Sequence, residues 1–182
     1  MIMRRVWAMP HPYTFQIKPI KELLQKYVKD GKGWIDPFAG KNSPAELTND
    51  LDEKMPTKYH KDAITFCKEL NGKRFNGILF DPPYSLRQIR EAYKGAGLDF
   101  ADIKINAQFY NNVKKVAHTL IKPSGYAINF GWHSNGFGKR FGFKIIEILL
   151  VAHGGAHYDT ICTVEQKMNK TVGDFFPDGD YN

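Results

Sequence analysis

Gly77-Ile78-Leu79-Phe80 is an uninterrupted apolar run closed by Asp81-Pro82-Pro83-Tyr84. A short run of this kind, apolar at successive positions and bounded by prolines, reads as a strand buried on both faces. It is followed at once by a carboxylate, two residues of fixed φ with no N–H, and an aromatic ring. That is a stiff polar corner at the carboxyl end of a strand, where open α/β sheets bind ligands. Gly33-Trp34-Ile35-Asp36-Pro37-Phe38-Ala39-Gly40 repeats the grammar: a second strand, then an acidic loop carrying a glycine.

The rest of the chain alternates. Ile20, Leu23, Leu24, Tyr27 and Val28 recur at helical spacing behind Pro19, which predicts a helix over 19–29. Strands are expected near 33–36, 46–50, 58–60, 77–81 and 125–130. A helix is expected near 62–70, a loop or short helix over 85–101, and a longer helix over 102–119. Ile121-Lys122-Pro123-Ser124-Gly125 reads as a turn ahead of the 125–130 strand. Strands over 143–152 and 157–166 form a hairpin around His153-Gly154-Gly155-Ala156. Buried strands alternating with helices argue for an α/β fold with one mostly parallel sheet. The stretch from Lys41 to Glu46 is too short for a helical crossover, which needs about a dozen residues. The first crossover helix, and the second with it, is therefore expected to be missing or reduced to a turn. One sheet face is then left for another subunit or the N-terminal arm to cover. Residues 1–170 are read as a single domain, and 171–182 as an acidic, frayed tail.

Asp81-Pro82-Pro83-Tyr84 resembles the catalytic motif of the amino-methyltransferases, which methylate the exocyclic amine of adenine or cytosine in DNA. Asp36-Pro37-Phe38-Ala39-Gly40 resembles the cofactor loop of the same family. His11-Pro12-Tyr13-Thr14-Phe15-Gln16-Ile17-Lys18-Pro19 and its helix resemble the remaining cofactor segment, and the three occur in family order. The resemblance implies a Rossmann-like methyltransferase sheet ending in an antiparallel hairpin, with S-adenosylmethionine as cofactor. It implies cofactor contacts from Tyr13, Thr14, Phe15, Lys18, Asp36, Pro37, Phe38, Ala39 and Gly40. Asp50 is the candidate for the ribose hydroxyls, with Asp52 behind it, while a plain turn accounts for these residues as well. Asp62 would meet the adenine amino group and Phe66 its ring, although Asp62 is equally well placed as a helix cap. The family's second loop glycine is Asn42 here, a residue that tolerates left-handed backbone.

Chemistry explains the residue types of the corner. An exocyclic amine is a poor nucleophile because its lone pair is delocalised into the ring. Acceptors on both N–H groups, from Asp81 and the Pro82 carbonyl, would turn the lone pair toward an incoming methyl. Tyr84 offers a flat face to a base taken out of its stack. Asp at the head of the motif leans toward adenine N6 over cytosine. No metal is required or expected. His153 and His157 are four apart, but the glycines between them argue against a helical metal pair.

The chain has 182 residues and a net charge of +7, and no Asp or Glu lies between Ile103 and Ile146. The first 21 residues are free of acid as well. Such asymmetry suits a polyanionic partner, DNA or else RNA. There is no room for a separate target-recognition domain. Two segments are left for that work: Ser85 to Phe100, with Arg87, Arg90, Tyr93 and Lys94, and the glycine-rich loop from Gly131 to Arg140. Two cysteines in no metal-type spacing, no span for a membrane and no signal-peptide run point to a cytoplasmic protein. A rival reading is a nucleic-acid-binding subunit that keeps the fold but has lost its cofactor.

Overall fold

A computed structural model describes residues 1–97, 108–155 and 157–169, the side chain of Leu86 excepted. Its frame is a seven-stranded sheet. In chain order the strands are β1 (Ile2–Trp7), β2 (Trp34–Asp36), β3 (Leu47–Thr48), β4 (Phe75–Phe80), β5 (Ile121–Gly131), β6 (Phe143–Ala152) and β7 (Thr160–Lys167). Across the sheet they run β1-β6-β7-β5-β4-β2-β3. β7 is antiparallel to both of its neighbours, and every other pair is parallel. This is the mixed α/β sheet with a closing antiparallel hairpin that the sequence predicts.

Among the described residues four α-helices accompany it: α1 (Lys18–Tyr27), α2 (Ala63–Glu69), α3 (Leu86–Gly95) and α4 (Phe109–Ala117). α1 starts with Pro19 in its first turn and buries Ile20, Leu23 and Leu24. It stops at Lys29, whose φ of 59° is left-handed. α2 is capped by the Asp62 side chain on the amides of Ile64 and Thr65. α3 opens with a capping box between Ser85 and Gln88.

The sheet's two faces are covered unequally. α2, α3 and α4 pack on one through Phe66, Cys67, Ile89, Tyr93, Phe109 and Val113, against Ile35, Ile78, Phe80 and Ala127. α1 takes the other, with Phe15, Ile17, Ile20, Leu23 and Leu24 over Trp34, Leu79, Ile128, Leu149, Val151 and Val164. Residues 37–46 contain no helix, so the expected loss of the first crossover helix is real, whereas the second crossover, from β3 to β4, keeps the two-turn helix α2 and corrects that part of the expectation. The face expected to lie bare is nevertheless filled by α1. Gly77 is fixed by the same packing, because a Cβ there would meet the Trp34 ring at 2.5 Å.

Several boundaries differ from the sequence reading. The N-terminal arm lies across neither face. It is β1, an edge strand in register with β6 from Ile2↔Glu147 to Trp7↔Ala152. Fully buried Glu147 holds it by taking Arg4, Lys26 and Tyr27 onto its carboxylate. The strand near 58–60 shrinks to one bridge, Asn49↔Tyr59. Ile121–Gly125 is not a free turn: β5 starts at Ile121 and accommodates Ser124 at φ 62° beside a register shift. The 85–101 segment holds a full helix, α3. The helix expected over 102–119 is described only from Gln108, and its last turn, His118–Leu120, is 3-10. Residues 102–107, Ala156 and the tail 171–182 lie outside the described residues. No helix among the described residues is long and apolar enough to cross a membrane.

Candidate active site

The carboxyl ends of β2, β3, β4 and β5 share one end of the sheet, and the predicted motifs meet there. Asp81 leaves β4 half-buried. Its Oδ1 accepts a 2.7 Å hydrogen bond from the Tyr84 hydroxyl. Burial raises its pKa, and the hydroxyls of Tyr84 and Thr14 pull it back down. The corner after it is tied at three points. Gln88 Oε1 accepts from the amides of Tyr84 and Ser85, at 2.8 and 3.2 Å. The Tyr110 hydroxyl donates to the Pro83 carbonyl at 2.6 Å.

This corner divides two cavities. On one side lies a cleft of about 460 Å³ lined by Thr14, Pro37, Phe38, Asp50, Asp81 and Tyr93. It adjoins a smaller chamber of about 160 Å³ bordered by Tyr13, Thr14, Phe15, Phe38, Ala39, Gly40, Asn42 and Asp81. On the other side is an aromatic chamber of about 320 Å³, walled by Phe80, Tyr84, Tyr110, Phe130, Trp132 and Phe137. Pro82, Pro83 and Tyr84 line both the large cleft and the aromatic chamber.

The loop after β2 is held from inside. Asp36 is fully buried; its Oδ1 takes the Phe38 amide at 2.9 Å and its Oδ2 the Ser43 hydroxyl at 2.6 Å. Burial pushes its pKa up to about 7. The bonds from Ser43 and Phe38 oppose the rise, and the charges of Asp81 and Asp50 add to it. Asp36 lines neither the large cleft nor the small chamber, so it shapes the loop instead of offering a ligand a free carboxylate. Gly40 has φ 54°, and a Cβ there would meet nothing within 4 Å. The loop thus presents open backbone to the small chamber. Asn42 has no positive φ, so the turn makes no demand on it for left-handed geometry.

Other candidates separate. Asp50 lines the large cleft, with Oδ2 on the Gly40 amide at 3.0 Å and Oδ1 on the Asp52 amide at 2.9 Å. Asp62 serves as the α2 cap and also takes the Tyr93 hydroxyl. Phe66 is buried in the core, where its ring packs 5.5 Å from that of Tyr59, so it presents no face to a ligand. Lys18 projects into solvent from the first turn of α1, away from the cavities. Phe15 packs edge-on against Phe130 at 5.1 Å. Tyr13 is 40% exposed at the rim, under Lys41. Among the described residues no cluster of His, Cys, Asp and Glu could hold a metal ion.

Sequence reasoning missed the buried polar network behind the aromatic chamber's wall. Glu165 on β7 is fully buried and accepts from the Phe137 amide at 2.6 Å, the Gly138 amide at 2.8 Å and Asn129 Nδ2 at 3.0 Å. Burial raises its pKa against those bonds and the nearby Lys114 charge. A Cβ at Gly136 would lie 2.0 Å from the Glu165 carboxylate, so only glycine fits there. Lys114 reaches the Gly136 carbonyl at 2.8 Å and sits over the rings of Phe80 and Phe137; burial lowers its pKa. An acid directly after the run Ile161-Cys162-Thr163-Val164 was the available signal.

A comparison with protein-family models finds no match, and no curated protein matches the sequence. Solved structures do match in shape. TrmN from Thermus thermophilus superposes with a TM-score of 0.55 at 17% identity, over 84% of this chain and 49% of that one. A Burkholderia thailandensis 1,6-didemethyltoxoflavin-N1-methyltransferase, solved with S-adenosylhomocysteine, gives 0.55 at 14%, over 84% and 78%. SMU.776, a putative methyltransferase complexed with SAH, gives 0.56 at 12%, over 81% and 48%. The chain therefore has the methyltransferase fold, and it spans about half the length of TrmN and SMU.776.

Proposed function

We propose that this protein transfers a methyl group from S-adenosylmethionine to the exocyclic amine of a base in nucleic acid, adenine N6 in DNA being the leading substrate. One observation carries the reading. A half-buried carboxylate, Asp81, stands at the end of a central strand, on a rigid diproline corner between a cofactor-sized cleft and an aromatic chamber. The cleft and the small chamber beside it suit the cofactor: Gly40 opens backbone to the chamber, and Asp50 and Thr14 set acceptors along the cleft. When bound, the cofactor supplies an electrophilic methyl group.

The chain's own residues do the rest. A base enters the aromatic chamber and lies against Tyr84. One amine N–H goes to Asp81 and the other to the Pro82 carbonyl, which localises the lone pair. Asp81 has to be ionised to accept, so activity rises with pH through its raised pKa. The amine proton lost after transfer leaves by way of Asp81 Oδ to solvent. Positioning and electrostatics supply the acceleration. Arg87, Arg90 and Lys94 on α3, with Arg140 at the chamber mouth, are available to phosphates. A homo-oligomer would use the open edge of β1, where Ile2, Met3 and Trp7 are exposed, because α1 already fills the face.

RNA is the second reading, since the corner meets only the base. The test is incubation with labelled cofactor and either DNA or RNA, followed by identification of the modified nucleoside. N6-methyladenine in DNA is expected; label on no base amine in either polymer refutes the reading.

A further inference from the structure

Three rings step outward from the catalytic corner. Tyr84, hydrogen-bonded to Asp81, lies 5.3 Å from Trp132. Trp132 lies 4.7 Å from Tyr158, tilted by 34°. Exposure rises along the row: Trp132 is 44% exposed and Tyr158 73%. Sheet register brings them together. Gly131, at the end of β5, pairs with Ile161 at the start of β7, so the residue after one strand meets the turn before the other. Trp7, 65% exposed, flanks the same turn beside Gly154. His133 and Arg140 line the chamber next to the row.

Large exposed aromatic faces are costly in water and mark contact surfaces. Here they adjoin the Arg140 guanidinium and belong to a chain of net charge +7, so the complementary partner is anionic and planar. Bases inside a duplex have both faces covered by their neighbours and present edges and phosphates. Unpaired bases have free faces and stack on aromatic side chains whatever their sequence.

We propose that Trp132 and Tyr158 form a stacking platform for unpaired bases flanking the one held at Asp81, so that the substrate is an unpaired stretch of nucleic acid and not intact duplex. The link to Asp81 rests on the proposed methyl transfer; the platform itself does not. DNA and RNA share the stacking chemistry, and the test separates them.

The experiment is fluorescence anisotropy of the full chain, without cofactor, against labelled twelve-residue DNA and RNA strands, each alone and annealed, over a salt series. The unpaired strands are expected to bind at least about tenfold more tightly than their duplexes. Tyr158→Ala should weaken the unpaired strands by about tenfold and leave the duplexes unchanged, and Trp132→Ala should cost more. The salt slope should be preserved in Tyr158→Ala, because phosphate contacts remain. Tyr158→Phe should bind as wild type. The tighter of the DNA and RNA strands names the polymer. Equal affinity for duplex and single strands, no binding to either, or a Tyr158→Ala variant that binds unpaired strands normally overturns the platform. A melting temperature equal to wild type excludes misfolding. Single-strand preference without methyl transfer defeats the transfer reading alone; transfer into duplex with Tyr158→Ala unimpaired defeats the platform alone.

Discussion

Asp36 and Asp81 occupy the same place in the grammar of the chain. Each follows a buried strand, each precedes proline, and β2 and β4 are paired neighbours in the sheet. Their surroundings make them different groups. Asp36 is sealed, with both oxygens spent on its own loop. Asp81 borders both the large cleft and the small chamber and holds the Tyr84 hydroxyl, which a ligand can displace. A strand-ending Asp-Pro thus names a position, and the three-dimensional supply of donors decides whether the acid builds the site or works in it.

The comparison breaks most sharply on activity. Asp81→Ala is expected to lower methyl transfer by about 10³-fold, the scale of removing a preorganised group from a reacting centre. Cofactor affinity and melting temperature should stay near wild type. A variant retaining wild-type turnover would end the assignment, and one that also lost cofactor binding would make Asp81 a second Asp36.

Asp36 should announce itself in stability. Its folded pKa is about 7, against an ordinary carboxylate value near 3.9 in the unfolded chain. Between those values the folded state keeps a proton that the unfolded state has released. Stability from this group is therefore complete below about pH 4 and is lost as pH rises through about 7. The full swing is on the order of 4 kcal/mol, of which about 3 kcal/mol falls above pH 5. Asp36→Asn removes it while Asp81 and Glu165 titrate in both proteins. In denaturant titrations at pH 5 and pH 8, wild type should lose stability relative to Asp36→Asn. Parallel curves would show that Asp36 is not buried as a proton-holding acid.

A smaller effect separates the ring of Tyr84 from its hydroxyl. Tyr84→Phe keeps the stacking face and frees Asp81 of a bond that lowers its pKa. Turnover should fall less than about tenfold, the scale of one hydrogen bond. The acid limb of the pH–rate profile should move upward. An unmoved limb would mean that the Tyr84–Asp81 bond is absent in the working enzyme.

Legibility followed distance along the chain. Asp81-Pro82-Pro83-Tyr84 was readable because strand, carboxylate and prolines are contiguous, and the missing first crossover helix was readable from loop length alone, whereas the loss expected of the second did not occur, because α2 occupies it. The sealing of Asp36 was not, since it depends on Ser43 folding back across the loop. β1 was missed because its exposed sequence has no periodicity and its partner β6 lies at the far end of the chain. That Phe66 packs in the core was not legible either, because the resemblance of its segment does not reveal which helix face meets the sheet. The Glu165–Asn129 network needed the β5–β7 register to exist at all.

The smallest effect tests a resemblance against geometry. Lys18 sits in the segment that resembles a cofactor-binding motif, whereas the structure turns it to solvent from the first turn of α1. An exposed lysine with no ion pair among the described residues contributes within about 0.5 kcal/mol to anything nearby. Lys18→Ala should therefore change the dissociation constant for S-adenosylhomocysteine, measured by calorimetry, by less than about twofold. Thr14→Val, four residues earlier in the chain but lining both cavities that Asp81 borders, should weaken it by more. The order of these two variants matters more than either value. If Lys18→Ala proves the worse binder, α1 must rotate or its first turn must unwind on binding, and the segment contributes its lysine after all.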